Sequence, residues 1–176
     1  MKYPAYILLL IILFCISCAE NPDKNIADTR TVFRYNESAG ISSLDPSFAR
    51  NVENIWAINQ LFNGLVQMDD DLNVIPSIAS SWDISEDGIV YTFHLRTDVY
   101  FHDHELFPEG KGRKVVAEDF VHSLFRIVSP EVTSPGAWIF NNLDQSKDLG
   151  FKAPDDSTFQ IYLKQPFPPF PYPASI

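Results

Sequence analysis

The chain holds only two cysteines, Cys15 and Cys18, both close to its amino terminus. They cannot build a disulfide framework across the molecule, and two thiols alone do not complete a structural zinc site. Basic residues are scarce as well: 13 Lys and Arg stand against 23 Asp and Glu, for a formal charge of -10. A nucleic-acid binder needs a basic face for phosphates, and the one dense basic run, Lys111, Arg113 and Lys114, is too short to form it. Glycine is sparse too, at 7 residues. Gly110-Lys111-Gly112 lacks the rest of a phosphate-binding loop and reads as a loop tip, and no G-x-S-x-G elbow occurs. The most apolar stretch, residues 7–14, falls short of the roughly 20 residues that a spanning helix needs. What is present is 45% hydrophobic and 14% aromatic residues, enough to bury a core and to exclude a disordered tail. The 13 prolines favour strands and short loops over a long helical bundle.

Lys2, the apolar run and the small residues after it have the build of a secretory signal. Ser17 directly before Cys18 resembles the lipobox of bacterial lipoproteins, with Cys15 where that motif usually carries Leu. The resemblance implies that residues 1–18 are a lipoprotein signal peptide and that Cys18 is the lipidated first mature residue. A plain signal peptide cut nearby and an uncleaved anchor are the alternatives. Residues 19–30 are polar and aperiodic and read as a tether.

Residues 31–36 (TVFRYN) alternate as a strand that begins the folded part. From 51 to 62, Val52, Ile55, Trp56, Ile58, Leu61 and Phe62 recur at helical spacing, with Asn51 placed to cap the start and Gly64 to close the end. Residues 82–84, a Glu86-Asp87-Gly88 turn and residues 89–95 read as a hairpin, with Tyr91, Phe93 and Leu95 on one face and Val90, Thr92 and His94 on the other. A second hairpin is expected around residues 154–157. Between them a helix over residues 117–127 turns Phe120, Val121, Leu124, Phe125 and Val128 inward. The expected class is mixed α/β. Trp56, Phe62, Trp82 and Phe93 are expected in its core. The stretch 166–173, with five prolines and three aromatics, can be neither helix nor central strand, and it reads as an apolar surface whose partner is missing.

Candidate chemistry is thin. His102 and His104 would point the same way on a strand and could share a metal, but no third ligand accompanies them, and a polar turn is the expected reading. The acidic runs at 69–71, 118–119 and 155–156 sit in turns or at a helix start, where carboxylates are solvated or capping. No catalytic set, cofactor site or metal site is expected, and no nucleic-acid partner.

Several segments, taken in order, resemble one family. They are Ser43-Leu44-Asp45-Pro46, Leu61-Phe62-Asn63-Gly64-Leu65, and residues 76–82 (PSIASSW) leading into Asp87-Gly88. Residues 91–96 (YTFHLR), Phe101-His102-Asp103, residues 117–123 (AEDFVHS) and Asp148-Leu149-Gly150 with 151–159 continue the series. The order and spacing resemble the extracytoplasmic solute-binding proteins of peptide ABC importers, the dipeptide and oligopeptide type known as family 5. Three positions depart from that pattern. His104 and a basic loop follow Asp103, Val116 replaces a capping threonine, and Gly136 stands where oligopeptide binders carry a pocket tyrosine, leaving Trp138 as the nearest aromatic.

The resemblance implies an incomplete fold of the type II periplasmic-binding-protein kind. Residues 31–65 would start the first lobe, residues 66–176 would form the small domain inserted into it, and the second lobe would be missing. It also implies a lipid-anchored monomer in the cell envelope, facing the periplasm, that binds oligopeptides without chemistry and passes them to ABC permease subunits. Ala49, Arg50, Asn51 and Val52 would pair with the ligand backbone. Arg50 would meet a ligand carboxylate or remain a solvated loop charge. The acid that grips a peptide amino terminus belongs to the missing lobe. Binding of nickel chelates or another small solute, a nonfunctional truncated product and, less favoured, an envelope hydrolase are the competing expectations.

Overall fold

The computed structural model describes Arg34, Asn36 and residues 38–167. The signal and tether, both cysteines, most of the proline-rich stretch and all of the expected strand over 31–36 except Arg34 and Asn36 lie outside the described residues. Arg34 and Asn36 belong to a separate unit, Met1–Asn36, and the described helices and strands all lie in the second unit, Glu37–Ile176.

The centre of that second unit is an antiparallel four-stranded sheet, β3 (Ala79–Ile84), β4 (Val90–Leu95), β6 (Thr158–Tyr162) and β5 (Phe151–Asp155), in the order β3-β4-β6-β5. Period-two patterning makes these strands, because alternate side chains project to opposite faces. In β4, Tyr91, Phe93 and Leu95 are buried while Val90, Thr92 and His94 are half-exposed. In β6, Phe159 and Ile161 are buried in the same way. Both expected hairpins form. The first closes at Gly88, whose φ of 69° suits glycine and whose N–H donates to Ser85 O at 2.8 Å. A small antiparallel pair, β1 (Val66–Met68) with β2 (Val74–Pro76), precedes the sheet.

The helix α2 (Ala117–Val128) covers β5 and β6 through Phe120, Val121, Leu124, Ile127 and Val128. Phe125, expected on this face, is 42% exposed. At 3.6 residues per turn it lies about a quarter-turn from the centre of the stripe, where Ile127 takes its place. The helix starts without a hydroxyl cap. Asp119 makes the reciprocal half of a capping box, its carboxylate accepting the Val116 N–H at 2.9 Å while its own N–H donates to Val116 O at 3.0 Å, beside a helix terminus that favours negative charge.

The first helix, α1 (Val52–Asn59), differs more from expectation. Asn51 occupies the N-cap position, but its side chain makes no capping hydrogen bond. The helix ends before Gly64, because Gln60 and Leu61 donate to Ala57 O and Ile58 O and tighten the last turn. Trp56 and Phe62 are not core residues: they are 56% and 51% exposed. Burial goes to Asn54, Ala57 and Ile58 instead, and Asn54 Nδ2 donates to Ser42 Oγ at 2.9 Å. Of the four expected core aromatics, Phe93 is fully buried and Trp82 packs half-buried against the core. Among the described residues no helix is long and apolar enough to cross a membrane.

Candidate functional site

Ser43-Leu44-Asp45-Pro46 builds a turn whose geometry follows from its residue types. Pro46 presets φ for a short 3-10 turn, Pro46–Phe48, and Asp45 accepts the Ser47 N–H at 3.0 Å as its cap. Ser43 Oγ accepts the Asp45 N–H at 3.1 Å. After this turn the chain runs extended: Ala49 has φ -62° and ψ 102°, and Asn51 has φ -103° and ψ 151°.

The turn is clamped from a distant part of the sequence. Arg126 projects from the side of α2 opposite the stripe that packs on the sheet. Its guanidinium donates to Asp45 Oδ1 at 2.8 Å and Oδ2 at 2.6 Å, and to Ser47 Oγ at 3.2 Å. The hydrogen bond from Arg126 holds the Asp45 carboxyl below the ordinary aspartate range, against a smaller opposing effect of burial. Ser134, itself buried, donates its Oγ to Ser47 O at 2.6 Å.

The five residues expected to touch ligand, Ala49, Arg50, Asn51, Val52 and Trp138, lie on the two segments that this clamp joins. Ala49 N–H donates to Pro46 O at 3.1 Å, and Asn51 O accepts from Ile55 N–H at 3.0 Å. The N–H groups of Arg50, Asn51 and Val52 have no hydrogen-bond partner among the described residues. Trp138 is 70% exposed on the short helical turn Ala137–Phe140, four residues beyond Ser134. Backbone with unpaired donors can receive another extended chain, and an exposed indole can receive an apolar side chain. Arg126, Ser47 and Ser134 escaped the sequence reading. Ser-Leu-Asp-Pro signals the turn locally, but nothing local marks its partners on α2 and beyond.

The remaining candidates resolve as turns. His102 and His104 are exposed, and His104 Nδ1 accepts the Leu106 N–H at 3.2 Å. Among the described residues no group of three or more His, Cys, Asp or Glu comes together as a metal site. Asp69 accepts the N–H groups of Asp71 and Asn73 in the β1-β2 turn, and Asp155 accepts that of Ser157 in the β5-β6 turn. Both carboxyls lie below the ordinary range, Asp69 through its Asn73 side-chain hydrogen bond first and Asp155 through the Ser157 backbone first. Burial pushes Asp119 upward, and hydrogen bonds from Arg113 and Val116 outweigh it, so its net displacement is downward. None of these acids is held protonated as a general acid would need to be.

The family model of the bacterial extracellular solute-binding proteins, family 5 Middle, matches residues 73–176. The chain is 37% identical over 157 residues to the periplasmic oligopeptide-binding protein OppA of Escherichia coli (strain K12), covering 82% of this chain and 27% of the relative. It is 35% identical over 141 residues to the periplasmic murein peptide-binding protein MppA of the same organism, covering 73% of this chain and 25% of the relative. Among solved structures, Listeria monocytogenes OppA bound to peptide matches with a TM-score of 0.71 at 28% identity, covering 79% of this chain and 28% of that one. The chain thus spans about a quarter of the length of the curated relatives it matches.

Proposed function

The chain belongs to the bacterial extracellular solute-binding proteins of family 5, and on that premise we propose that it is the amino-terminal part of a peptide-binding subunit of an ABC importer. In this reading residues 31–65 begin the first lobe and residues 66–176 form the small inserted domain. Ala49, Arg50, Asn51, Val52 and Trp138 lie on the ligand wall, a lipid on Cys18 holds the protein in the envelope, and permease subunits receive the cargo. One observation carries the ligand class: where the chain passes from extended Ala49 and Asn51 into α1, the N–H groups of Arg50, Asn51 and Val52 are left without a partner among the described residues. Pairing through main chain suits a binder of varied peptides, because every peptide offers the same groups. The relatives named for oligopeptide and murein peptide binding support the same class, and their names describe binding rather than catalysis.

Calorimetry with a pool of random-sequence pentapeptides tests the reading. A polypeptide limited to these 176 residues offers one wall, so its Kd is expected on the order of millimolar, near -4 kcal/mol. The full natural polypeptide should bind far more tightly. In that longer form Val52→Pro is a clean probe, because Val52 is the first helical residue, where proline fits, and Asn51 before it is already extended. Losing that one donor should weaken binding about fivefold. Undiminished affinity in Val52→Pro, or heat only with a nickel chelate or another non-peptide solute, would overturn the assignment. The anchor is tested separately by metabolic labelling with a fatty-acid analogue: label is expected on the wild type and absent from Cys18→Ala, and equal label on both would remove Cys18 as the anchor.

A further inference from the structure

Among the described residues, every long-range hydrogen bond that reaches the turn at residues 45–47 comes from two side chains, Arg126 and Ser134. We infer that Arg126 is a positioning residue for ligand binding: from α2 it fixes the turn from which the wall at residues 49–52 departs. This rests on the peptide-wall reading and adds to it a residue that touches no ligand.

The geometry is specific to a guanidinium. One fork takes both carboxylate oxygens of Asp45, at 2.8 and 2.6 Å, and the same Nη1 also reaches Ser47 Oγ at 3.2 Å. A lysine ammonium has the charge but not the planar fork. Asp45 spends its Oδ1 on the Ser47 N–H as well, at 3.0 Å, so the ion pair and the cap of the 3-10 turn share an atom. Ala49, the first wall residue, hangs on that turn through its N–H to Pro46 O. Beyond Ala49 nothing holds the N–H groups of Arg50 and Asn51 among the described residues. The path of the wall is therefore set at its upstream end by the clamp and at its downstream end by α1.

Exposure decides what kind of contribution this is. The side chains of Arg126 and Asp45 are 43% and 28% exposed, and ion pairs so placed contribute little to global stability. Holding a recognition strand in its bound path instead removes an ordering cost that the ligand would otherwise meet. Arg126 should accordingly act on affinity more than on folding.

The test compares wild type, Arg126→Gln, Arg126→Lys, Asp45→Asn and the double variant Asp45→Asn/Arg126→Gln in the full natural polypeptide. Three quantities are read: affinity for the random pentapeptide pool, the urea midpoint, and hydrogen exchange at the amides of Phe48 and Ala49. Arg126→Gln is expected to weaken binding about tenfold and to speed exchange at those two amides by a similar factor, with a nearly unmoved midpoint. Arg126→Lys should fall between, and the double variant should bind no worse than the weaker single one, since both break the same contact. If wild type binds and Arg126→Gln binds equally well, or if affinity falls only as far as the midpoint does, the positioning role is overturned while the peptide reading stands. If the wild type binds no peptide, that reading fails and takes this role with it.

Discussion

Replacing Phe159 with alanine is expected to destabilise the protein by about 3 to 5 kcal/mol. Phe159 is fully buried in β6, paired directly across from Phe93 in β4. Its ring centroid lies 6.3 Å from Phe93, 6.2 Å from Phe151 and 5.8 Å from Phe120, so it touches three neighbours in the sheet and on α2. Deleting it leaves a void between two layers that strand pairing on one side and helix packing on the other prevent from collapsing, so the cavity cost adds to the lost transfer energy. The lost ring contacts contribute further, at about 0.5 to 1.5 kcal/mol for an aromatic pair. Urea denaturation followed by far-ultraviolet circular dichroism measures the change. A loss below about 1 kcal/mol would mean that the layers do not meet at this ring.

Gly112→Ala is expected to cost about 3 kcal/mol, the upper end of what overpacking usually costs. A Cβ at this position would stand 1.8 Å from Phe101 O and 2.9 Å from His102 O. Both obstacles are backbone, which cannot rotate away as a side chain can. The strand-like return from the loop would have to part, although it is held by Phe101 N–H to Arg113 O at 2.9 Å and by Gly112 N–H to Asp103 Oδ1 at 3.0 Å. The damage should spread to α2, because Arg113, stacked 4.8 Å over the Phe101 ring, also pairs with Asp119 at the start of that helix. Gly110 two residues earlier is the control. Its φ of 71° disfavours a side chain, yet nothing lies within 4 Å of where the Cβ would go, so Gly110→Ala should cost only about 1 kcal/mol. Thermal melts of the two variants rank them, and equal melting temperatures would contradict the close approach at Gly112.

Gly110 and Gly112 show where a sequence stops informing. Both belong to one tripeptide and both read as the tip of a loop, which is what they are. That one is required for its backbone conformation and the other for its missing Cβ depends on Phe101, a residue on the opposite side of the loop. The same holds at Asp45. The dipeptide Asp45-Pro46 announces a capped turn, because proline presets φ and aspartate accepts from the amide two residues on. The identity of the cation that neutralises this aspartate depends on α2, 81 residues later.

Trp56 and Phe62 mark the opposite error. Their spacing promised a buried helical stripe, and among the described residues they stand half in solvent. Periodicity reports that a face is apolar, not what covers it. The short polar side chain of Asn54 is buried because Ser42 satisfies both ends of its amide.

The sequence by itself determined the local elements: two hairpins marked by turn residues between alternating strands, the amphipathic helix over Ala117–Val128, and a family pattern that the comparisons bear out. Such features are legible because their causes, period-two and period-3.6 burial and the φ preferences of proline and glycine, act within a few residues. Only the tertiary structure decided that Ile127 rather than Phe125 faces the sheet, that Arg126 and Ser134 converge on the Asp45 turn, and that the N–H groups of Arg50, Asn51 and Val52 are left unpaired among the described residues. The helix face depends on strands that come later in the chain, and the clamp on contacts between residues about eighty positions apart; no local pattern encodes which two surfaces will meet.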